Sequence, residues 1–304
     1  MKARTAMLAA MMALALCSFG RTATTTQPPL LSTGEGPHFF VDYANFRGLD
    51  QKTYVEFYLQ VPYDELQFIK TRNHFRAEYV LQLRLLDAND KELERETIHD
   101  VVDVATFEET ISPSKARVCL FGFTIDATLH RVKAELRDLE TRYSTRIEQD
   151  FTPKNFGNND LLISDIQFSQ KITPAAEGEA YVKNQRYIEP NPLKIFAREL
   201  SEHLFVYFEI YNLAVPQPDG QQTYTVSYLF LDRDGNTIAE LKRDRGKAST
   251  SAAHSLRFRV SQFEAGEYSL VIRIQDNDTL QTSEVANGFT ILQQPVSLSQ
   301  NILN

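Results

Sequence analysis

The chain contains no tryptophan and only two cysteines, Cys17 and Cys119. A protein with so few cysteines cannot rely on a framework of disulfides, so its stability must come from a packed apolar core. No two histidines stand three or four residues apart, and neither a Gly-x-Ser-x-Gly elbow nor a phosphate-binding glycine loop occurs. Cys119 lies in an apolar strand, where a thiol usually acts as a small hydrophobic group. The sequence therefore predicts no metal, no cofactor and no catalytic residue.

Long apolar runs are also missing, which excludes a membrane-spanning helix. The apolar run Met7–Cys17 follows Lys2 and Arg4 and is too short to span a bilayer. Small residues at positions 18 and 20 follow it, which completes the pattern of a secretory signal peptide cleaved after Gly20. We therefore expect an exported protein, either periplasmic or extracellular.

Two other interpretations of the N-terminus remain open. The segment Leu14–Cys17 is similar to the cleavage box of bacterial lipoproteins, which would anchor the chain through Cys17, but Leu16 stands where that box usually has a small residue. A buried N-terminal helix is the second alternative. The threonines and prolines at positions 24–29 argue against it, because they do not continue an amphipathic pattern.

The chain is acidic, with a formal net charge of −8 at pH 7. Cleavage after Gly20 would remove Lys2 and Arg4 and make the charge more negative by two. Nucleic acids and anionic lipid surfaces repel such a protein, so the sequence argues against both as partners.

Strand patterns dominate the rest of the chain. Apolar and polar residues alternate in Val55–Val61, Tyr79–Leu85 and Tyr224–Phe230, the period of two that is typical of a strand with one buried face. Helical patterns are scarce. The best one is Leu193–His203, where Leu193, Phe196 and Leu200 would share a face.

Segments of the first half recur in the second half in the same order. His130–Thr152 aligns without gaps on Tyr268–Thr290, Val55–Leu59 aligns on Val206–Ile210, and Tyr79–Asp87 aligns on Tyr224–Asp232. A repeat of this length indicates a duplicated domain. We predict an all-β fold of two tandem immunoglobulin-like antiparallel β-sandwich domains related by internal duplication.

Composition sets the predicted boundaries. They are a signal peptide over 1–20, a flexible leader over 21–37, a first sandwich over 38–152, a linker over 153–159, a second sandwich over 160–292 and a tail over 293–304. The segment Gly266–Leu270 is similar to the corner in which a strand-opening tyrosine, here Tyr268, ties down the preceding turn through its hydroxyl. His130 occupies the matching place in the first half, so we expect that half to have lost or replaced the corner.

One acidic turn deserves comparison with a calcium loop. Asp232, Asp234 and Asn236 alternate as oxygen ligands do at the start of such a loop, but Thr237 and Arg243 occupy the places of the later glycine and glutamate. A hairpin turn explains the same residues, because Asp, Asn and Gly tolerate left-handed backbone. We therefore expect calcium to have little effect on stability.

Two strand faces on the side opposite the core interleave aromatic residues with carboxylates. A contact surface for a protein partner is one interpretation, because aromatic residues are enriched at interfaces. The alternative is that a neighbouring strand, the other domain or the segment 175–202 covers these faces. The candidate residues are Tyr54, Glu56, Tyr58, Phe205, Tyr207, Glu209 and Tyr211.

Several short segments carry a resemblance to one family. Tyr54–Lys70, Leu162–Phe168, Glu189–Pro192, Val206–Leu213 and the Gly266–Leu270 corner occur in order. The chain in this respect resembles the region upstream of the GWxTD domain in bacterial exported proteins of that family, over most of residues 39–292. The resemblance implies a bacterial envelope protein with paired β-sandwich modules and no established activity. This chain has no tryptophan and ends about where the namesake domain would begin, so no functional residue is carried over.

Three functions are compatible with these observations. The leading hypothesis is a non-enzymatic envelope protein that serves as a structural or protein-binding module, its partner being another envelope protein. The alternative is a periplasmic or surface protein that binds a glycan or a peptide. The third is a hydrolase whose dispersed active-site residues form no motif.

Overall fold

The computed structural model describes residues 29–176, 180–216 and 222–295, which are mostly β-strand. The predicted signal peptide and Cys17 lie outside these ranges. Within them, α1 spans Phe107–Thr110 and two 3-10 turns span Tyr63–Glu65 and Val260–Gln262. None of these helices is long and apolar enough to cross a membrane.

The first half of the described chain forms two antiparallel sheets. One has the strand order β1-β3-β4-β8, and the other has the order β2-β10-β9-β6, with β5 and β7 both paired to β6. The strands are β1 (Leu30–Leu31), β2 (Thr33–Gly34), β3 (Phe40–Arg47), β4 (Thr53–Pro62), β5 (Ile69–Lys70), β6 (Phe75–Asp87), β7 (Glu92–Val104), β8 (Ala116–Ile125), β9 (His130–Asp138) and β10 (Ser144–Phe151).

The second half forms two further sheets. In one, β16 pairs with β11 and β12 on one side and β19 on the other, and β14 and β13 extend from β12; the other has the order β15-β21-β20-β17-β18. The strands are β11 (Leu162–Ile163), β12 (Gln167–Pro174), β13 (Val182–Lys183), β14 (Arg186–Pro190), β15 (Ile195–Ala197), β16 (His203–Tyr211), β17 (Thr223–Asp232), β18 (Thr237–Gly246), β19 (Ser251–Arg259), β20 (Gly266–Asp276) and β21 (Thr282–Leu292).

The long strands follow the same order in both halves. The set β3-β4-β8 faces β10-β9-β6-β7 in the first half, and β12-β16-β19 faces β21-β20-β17-β18 in the second. This arrangement is an immunoglobulin-like sandwich. The prediction of an all-β fold with antiparallel sandwiches is confirmed, while a common origin of the halves by duplication stays a prediction.

Each sandwich has its own core, made by the alternate residues that the sequence pattern assigned to the buried faces. Val55, Phe57 and Leu59 of β4 pack with Tyr79 and Leu81 of β6 in the first core. In the second core, Val206 and Phe208 of β16 pack with Val226 and Tyr228 of β17. Burial of these apolar side chains supplies the main driving force for each half.

The helix predicted over Leu193–His203 is wrong. Ile195–Ala197 form β15, which pairs in parallel with Thr290–Leu292 at the end of β21. Lys194 just before it has a φ of 56°, a conformation that does not propagate a right-handed helix. Phe196 is buried in the second core as its helical spacing suggested, but Leu200 is 58% exposed.

The predicted leader and tail lie partly outside the described residues, which omit 21–28 and 296–304. Within the leader, β1 adds to β3 and β2 adds to β10, so these positions belong to the sheets and the flexible leader is corrected there. The predicted linker, 153–159, lies between β10 and β11. Phe156 of that segment is buried and packs edge-on against Tyr211, with ring centroids 5.3 Å apart.

Candidate functional site: the joint between the sandwiches

The two aromatic strand faces meet each other. The outer face of β3-β4-β8 packs on the outer face of the sheet that contains β12, β14 and β16. A third buried cluster forms there from Ala44, Phe46 and Tyr58 of the first half and Ile188 and Tyr207 of the second. We call this interface the joint.

The structure brings the candidate contact residues other than Phe205 together at the joint and does not leave them as an open surface. Phe205 lies beside His203 and stays partly exposed. Glu56 is 3% exposed, Tyr58, Tyr207 and Tyr211 are buried, and Tyr54, Phe205 and Glu209 are partly buried. An outward-facing surface for a protein partner is thus corrected at the six residues other than Phe205. The alternative, in which the other half covers both faces, describes the structure. Alternation along a strand shows which residues share a face but not what covers that face.

The centre of the joint is Lys183, which sequence reasoning missed. Its Nζ lies 2.5 Å from Glu56 Oε2 and 2.5 Å from Gln167 Oε1. The same ammonium group lies 4.0 Å from the centre of the Phe46 ring and 5.2 Å from that of Tyr207. Lys183 is thus enclosed by a carboxylate, an amide oxygen and aromatic ring faces, which attract a cation.

Burial and charge pairing oppose each other at Lys183. Burial lowers the pKa of Lys183, and the neighbouring carboxylate of Glu56 acts in the opposite direction. The side chains of Lys183 and Glu56 are 14% and 3% exposed, so either charge alone would be poorly solvated. Each therefore depends on the other, because a buried charge without a partner is strongly unfavourable.

Tyrosine hydroxyls donate hydrogen bonds to the two glutamates of the joint, Glu56 and Glu209. Tyr58 donates to Glu56 Oε2 at 2.5 Å, while Tyr207 and Tyr211 donate to Glu209 at 2.5 and 2.9 Å. Burial, followed by the charge of the neighbouring glutamates, raises the pKa of all three tyrosines. They remain protonated donors, and each carboxylate is held in a fixed hydrogen-bonded position.

The hairpin that carries Lys183 adds further contacts. Asn184 donates from Nδ2 to the Tyr207 hydroxyl at 2.6 Å and to Glu209 Oε1 at 3.0 Å. Tyr181 donates from its hydroxyl to the Val118 carbonyl oxygen at 2.5 Å, which ties the hairpin to β8 of the first half.

Further contacts between charged, polar and aromatic groups lie toward the edges of the joint. Lys194 Nζ lies 2.9 Å from Asp42 Oδ1, and burial raises the pKa of Asp42 although Lys194 opposes that change. Asn45 donates to Asp165 Oδ2 from its backbone N–H at 2.9 Å and from its side-chain amide at 2.5 Å. Arg47 stacks over Tyr211 at 4.4 Å from the ring centre. No spacing in the sequence relates these pairs, because each joins residues more than 100 positions apart.

Metal-binding groups do not converge in the described part of the chain. There, no three His, Cys, Asp or Glu side chains are placed to bind one ion. Asp232 instead accepts hydrogen bonds from the backbone N–H groups of Asp234 and Asn236 at 3.0 and 2.8 Å, as in the predicted hairpin turn. Burial raises the pKa of Cys119 to about 11, so its thiol is a poor nucleophile at neutral pH.

The two strand-opening corners are related. The Tyr268 hydroxyl donates to the Glu264 carbonyl oxygen at 3.0 Å, the bond expected from the sequence. In the first half, His130 Nε2 lies 2.9 Å from the carbonyl oxygen of Asp126, also four residues earlier. Both rings lie against the equivalent phenylalanine, Phe151 or Phe289. His130 therefore takes the place of the corner tyrosine in the first half.

Comparison with known proteins gives only distant similarities. No protein-family model and no curated protein matches the chain. Among solved structures, a DUF4785 family protein from Legionella pneumophila is similar at 11% identity over 88% of this chain, with a TM-score of 0.24. A β-glucuronidase from Bacteroides uniformis is similar at 12% identity over 78% of this chain, with a TM-score of 0.22. The chain spans 58% and 26% of the lengths of these two proteins.

Proposed function

We propose that this protein is a non-enzymatic envelope protein whose two β-sandwiches act as one rigid structural or protein-binding module. The observation that carries the proposal is the buried charge pair of Lys183 and Glu56 across the joint. Two domains connected only by a mobile linker would not bury charges against each other, because separation would leave both unpaired. The pair therefore favours one relative position of the halves.

The chemistry of the joint supports a structural role over catalysis. Glu56 and Glu209 are occupied by tyrosine hydroxyls, and Lys183 is enclosed by its partners. A catalytic acid, base or nucleophile must reach a substrate. These groups instead contact one another across two packed sheets.

Export to the bacterial envelope is part of the proposal. It rests on the signal-peptide pattern of residues 1–20 and on the resemblance to the GWxTD family, and it makes another envelope protein the expected partner. Mass spectrometry of the protein purified from its native cells should show a mature chain that begins at Arg21. A chain that begins at a diacylated Cys17 would instead indicate a lipid anchor, and an uncleaved chain would contradict export by this route.

Rigidity can be tested by measuring distances between the halves. Spin labels at Arg137→Cys and Glu240→Cys, both exposed and in different halves, would be placed in a Cys119→Val background. Double electron–electron resonance should give a narrow distance distribution. The distribution should broaden with Lys183→Ala and stay narrow with Lys91→Ala, a control on an exposed turn. A broad distribution in the unaltered joint would contradict a rigid module.

A further inference from the structure

A cleft of about 530 Å³ opens beside the joint. Its first wall comes from the end of β4 and the loop before β8, and its second wall comes from β12, β15 and the start of β16. The volume lies in the range of small-molecule sites. The residues that carry the argument are Gln60, Ser114, Gln170, Ser201, His203 and Phe205.

Gln60 is the polar group that points to a ligand. Its side chain is 3% exposed, and its Oε1 atom has no hydrogen-bond partner among the described residues. A buried acceptor without a partner is unfavourable, and such groups are rare in folded proteins. Gln60 lines the cleft, so a ligand there that reaches its amide group would remove this cost.

The lining defines the class of ligand. It contains no lysine or arginine, and its one carboxylate, Glu202, is 81% exposed. An anionic ligand would find no opposite charge there. The amides of Gln60 and Gln170 and the hydroxyls of Ser114 and Ser201 can each donate and accept hydrogen bonds. His203 and Phe205, whose ring centroids are 6.0 Å apart, supply a partly exposed aromatic surface.

We propose that the cleft binds a short neutral saccharide of one or two rings. Sugar hydroxyls match the mixed donors and acceptors of the amides and serines, and the apolar C–H face of a pyranose matches an aromatic surface. This role goes beyond the rigid-module proposal, because a rigid joint does not require an occupied cleft.

A peptide fits the cleft less well. An extended peptide binds most readily by adding to a free strand edge, whose backbone groups must be unpaired. The carbonyl oxygen of Ile195 in β15 already accepts from Asn191 Nδ2 at 3.0 Å. That of Ala197 accepts from the N–H groups of Leu200 and Ser201 at 3.0 and 2.8 Å. These acceptors of β15 are therefore not available to a second chain.

Binding can be tested on the whole mature chain by isothermal titration calorimetry and by chemical shift changes in NMR spectra. The probes are N-acetylglucosamine, maltose and cellobiose, with glucuronate as the anionic counterpart and trialanine amide as the peptide counterpart. We expect saturable binding of at least one neutral sugar. Gln60→Leu should weaken that binding by about tenfold, the usual effect of losing one buried hydrogen bond.

Two further variants make the result decisive. Gln82→Leu changes a glutamine on β6, outside the cleft, and should leave affinity unchanged. Leu200→Trp places a bulky ring at an exposed position of the cleft wall and should block binding without disturbing a core. The proposal is overturned if none of the three sugars binds, if glucuronate or trialanine amide binds more tightly, or if Gln60→Leu and Leu200→Trp both bind normally. The results on sugar binding are independent of the distance distribution that tests the rigid module, so either proposal can fail alone.

Discussion

At the residue scale, single aspartates organise the same turns in both halves. Asp138 accepts from the backbone N–H groups of Glu140 and Thr141, and Asp276 accepts from those of Asp278 and Thr279. Each carboxylate also accepts an N–H from the loop before the third long strand, that of Gln67 or Ala214. Buried carboxylates with several N–H donors are strongly held. Asp138 and Asp276 also occupy the same position when His130–Thr152 is aligned on Tyr268–Thr290.

The corner residues give the first prediction. Because His130 is 4% exposed whereas Tyr268 is partly exposed, His130→Phe should destabilise the protein by about 1–3 kcal/mol, and Tyr268→Phe by about 1 kcal/mol. Urea unfolding measures both losses, with the exposed Tyr143→Phe as control. A smaller loss for His130→Phe than for Tyr268→Phe would contradict the view that His130 takes over the role of the tyrosine.

His254 predicts a pH dependence. Burial, followed by the charges of Arg245 and Arg186, lowers its pKa to about 4, against about 6.5 in an unfolded chain. As pH falls below 6.5, the unfolded state therefore binds a proton that the folded state does not bind. The free energy of unfolding then falls by at most about 1.4 kcal/mol per pH unit down to pH 4.

The matched variants for this prediction are both histidine replacements. His254→Phe keeps a ring over Phe208, on which the imidazole now stacks at 5.0 Å, and should flatten the stability profile between pH 6.5 and pH 4. The exposed His99→Ala should leave the slope as it is. An unchanged slope in His254→Phe would show that other groups cause the pH dependence. Urea unfolding at several pH values measures both profiles.

At the element scale, the two edge strands β7 and β18 carry charged residues on the side that faces the core. β7 and β18 each pair with one strand only, and both are largely exposed. Asp100 of β7 pairs across from Tyr79 on the core-facing side, and Arg243 of β18 pairs across from Val226 in the same way. Inward-pointing charges on edge strands oppose further strand pairing. These two edges therefore discourage association of copies through their backbones.

The β12–β14 region shows why the joint was not predictable. Lys183 lies in the two-residue strand β13, which has no periodic pattern, and its charged partner Glu56 lies 127 residues away along the chain. The helix over Leu193–His203 failed for a similar reason. Its true partner is the end of β21, almost 100 residues later, and that pairing outweighs a local helical spacing.

The lysine at the joint gives an energetic prediction. Lys183→Ala leaves Glu56 charged and buried, so it should cost about 3–5 kcal/mol of unfolding free energy. Lys183→Met combined with Glu56→Gln removes both charges and should recover part of that loss. The control Lys91→Ala, at an exposed turn, should change stability by less than about 0.5 kcal/mol. Urea unfolding measures the free energy of unfolding of each variant. A loss for Lys183→Ala no larger than that for Lys91→Ala would show that the charge pair does not stabilise the joint.

At the scale of the whole molecule, the segments that align in the sequence fall on corresponding strands of the two halves, such as Tyr79–Asp87 on β6 and Tyr224–Asp232 on β17. The Asp87 turn matches the Asp232 turn, since each aspartate side chain accepts from the N–H groups two and four residues later. Alternation also identified both cores, because core burial depends on residues within one strand. The packing of the halves depends on two surfaces that only the folded chain brings together. The sequence offered it only as one of several ways to cover the aromatic faces.

The joint should make the two sandwiches unfold together. If one half unfolded alone, Phe46 or Tyr207 would lose its apolar neighbours and the charge pair at Lys183 would be broken. This coupling favours a single calorimetric transition over two separate ones. Lys183→Ala weakens the coupling, so scanning calorimetry should then resolve two transitions, one for each core, while Lys91→Ala keeps one. Two transitions in the unaltered protein would mean that the joint contributes too little free energy to couple the halves, even with its charges buried.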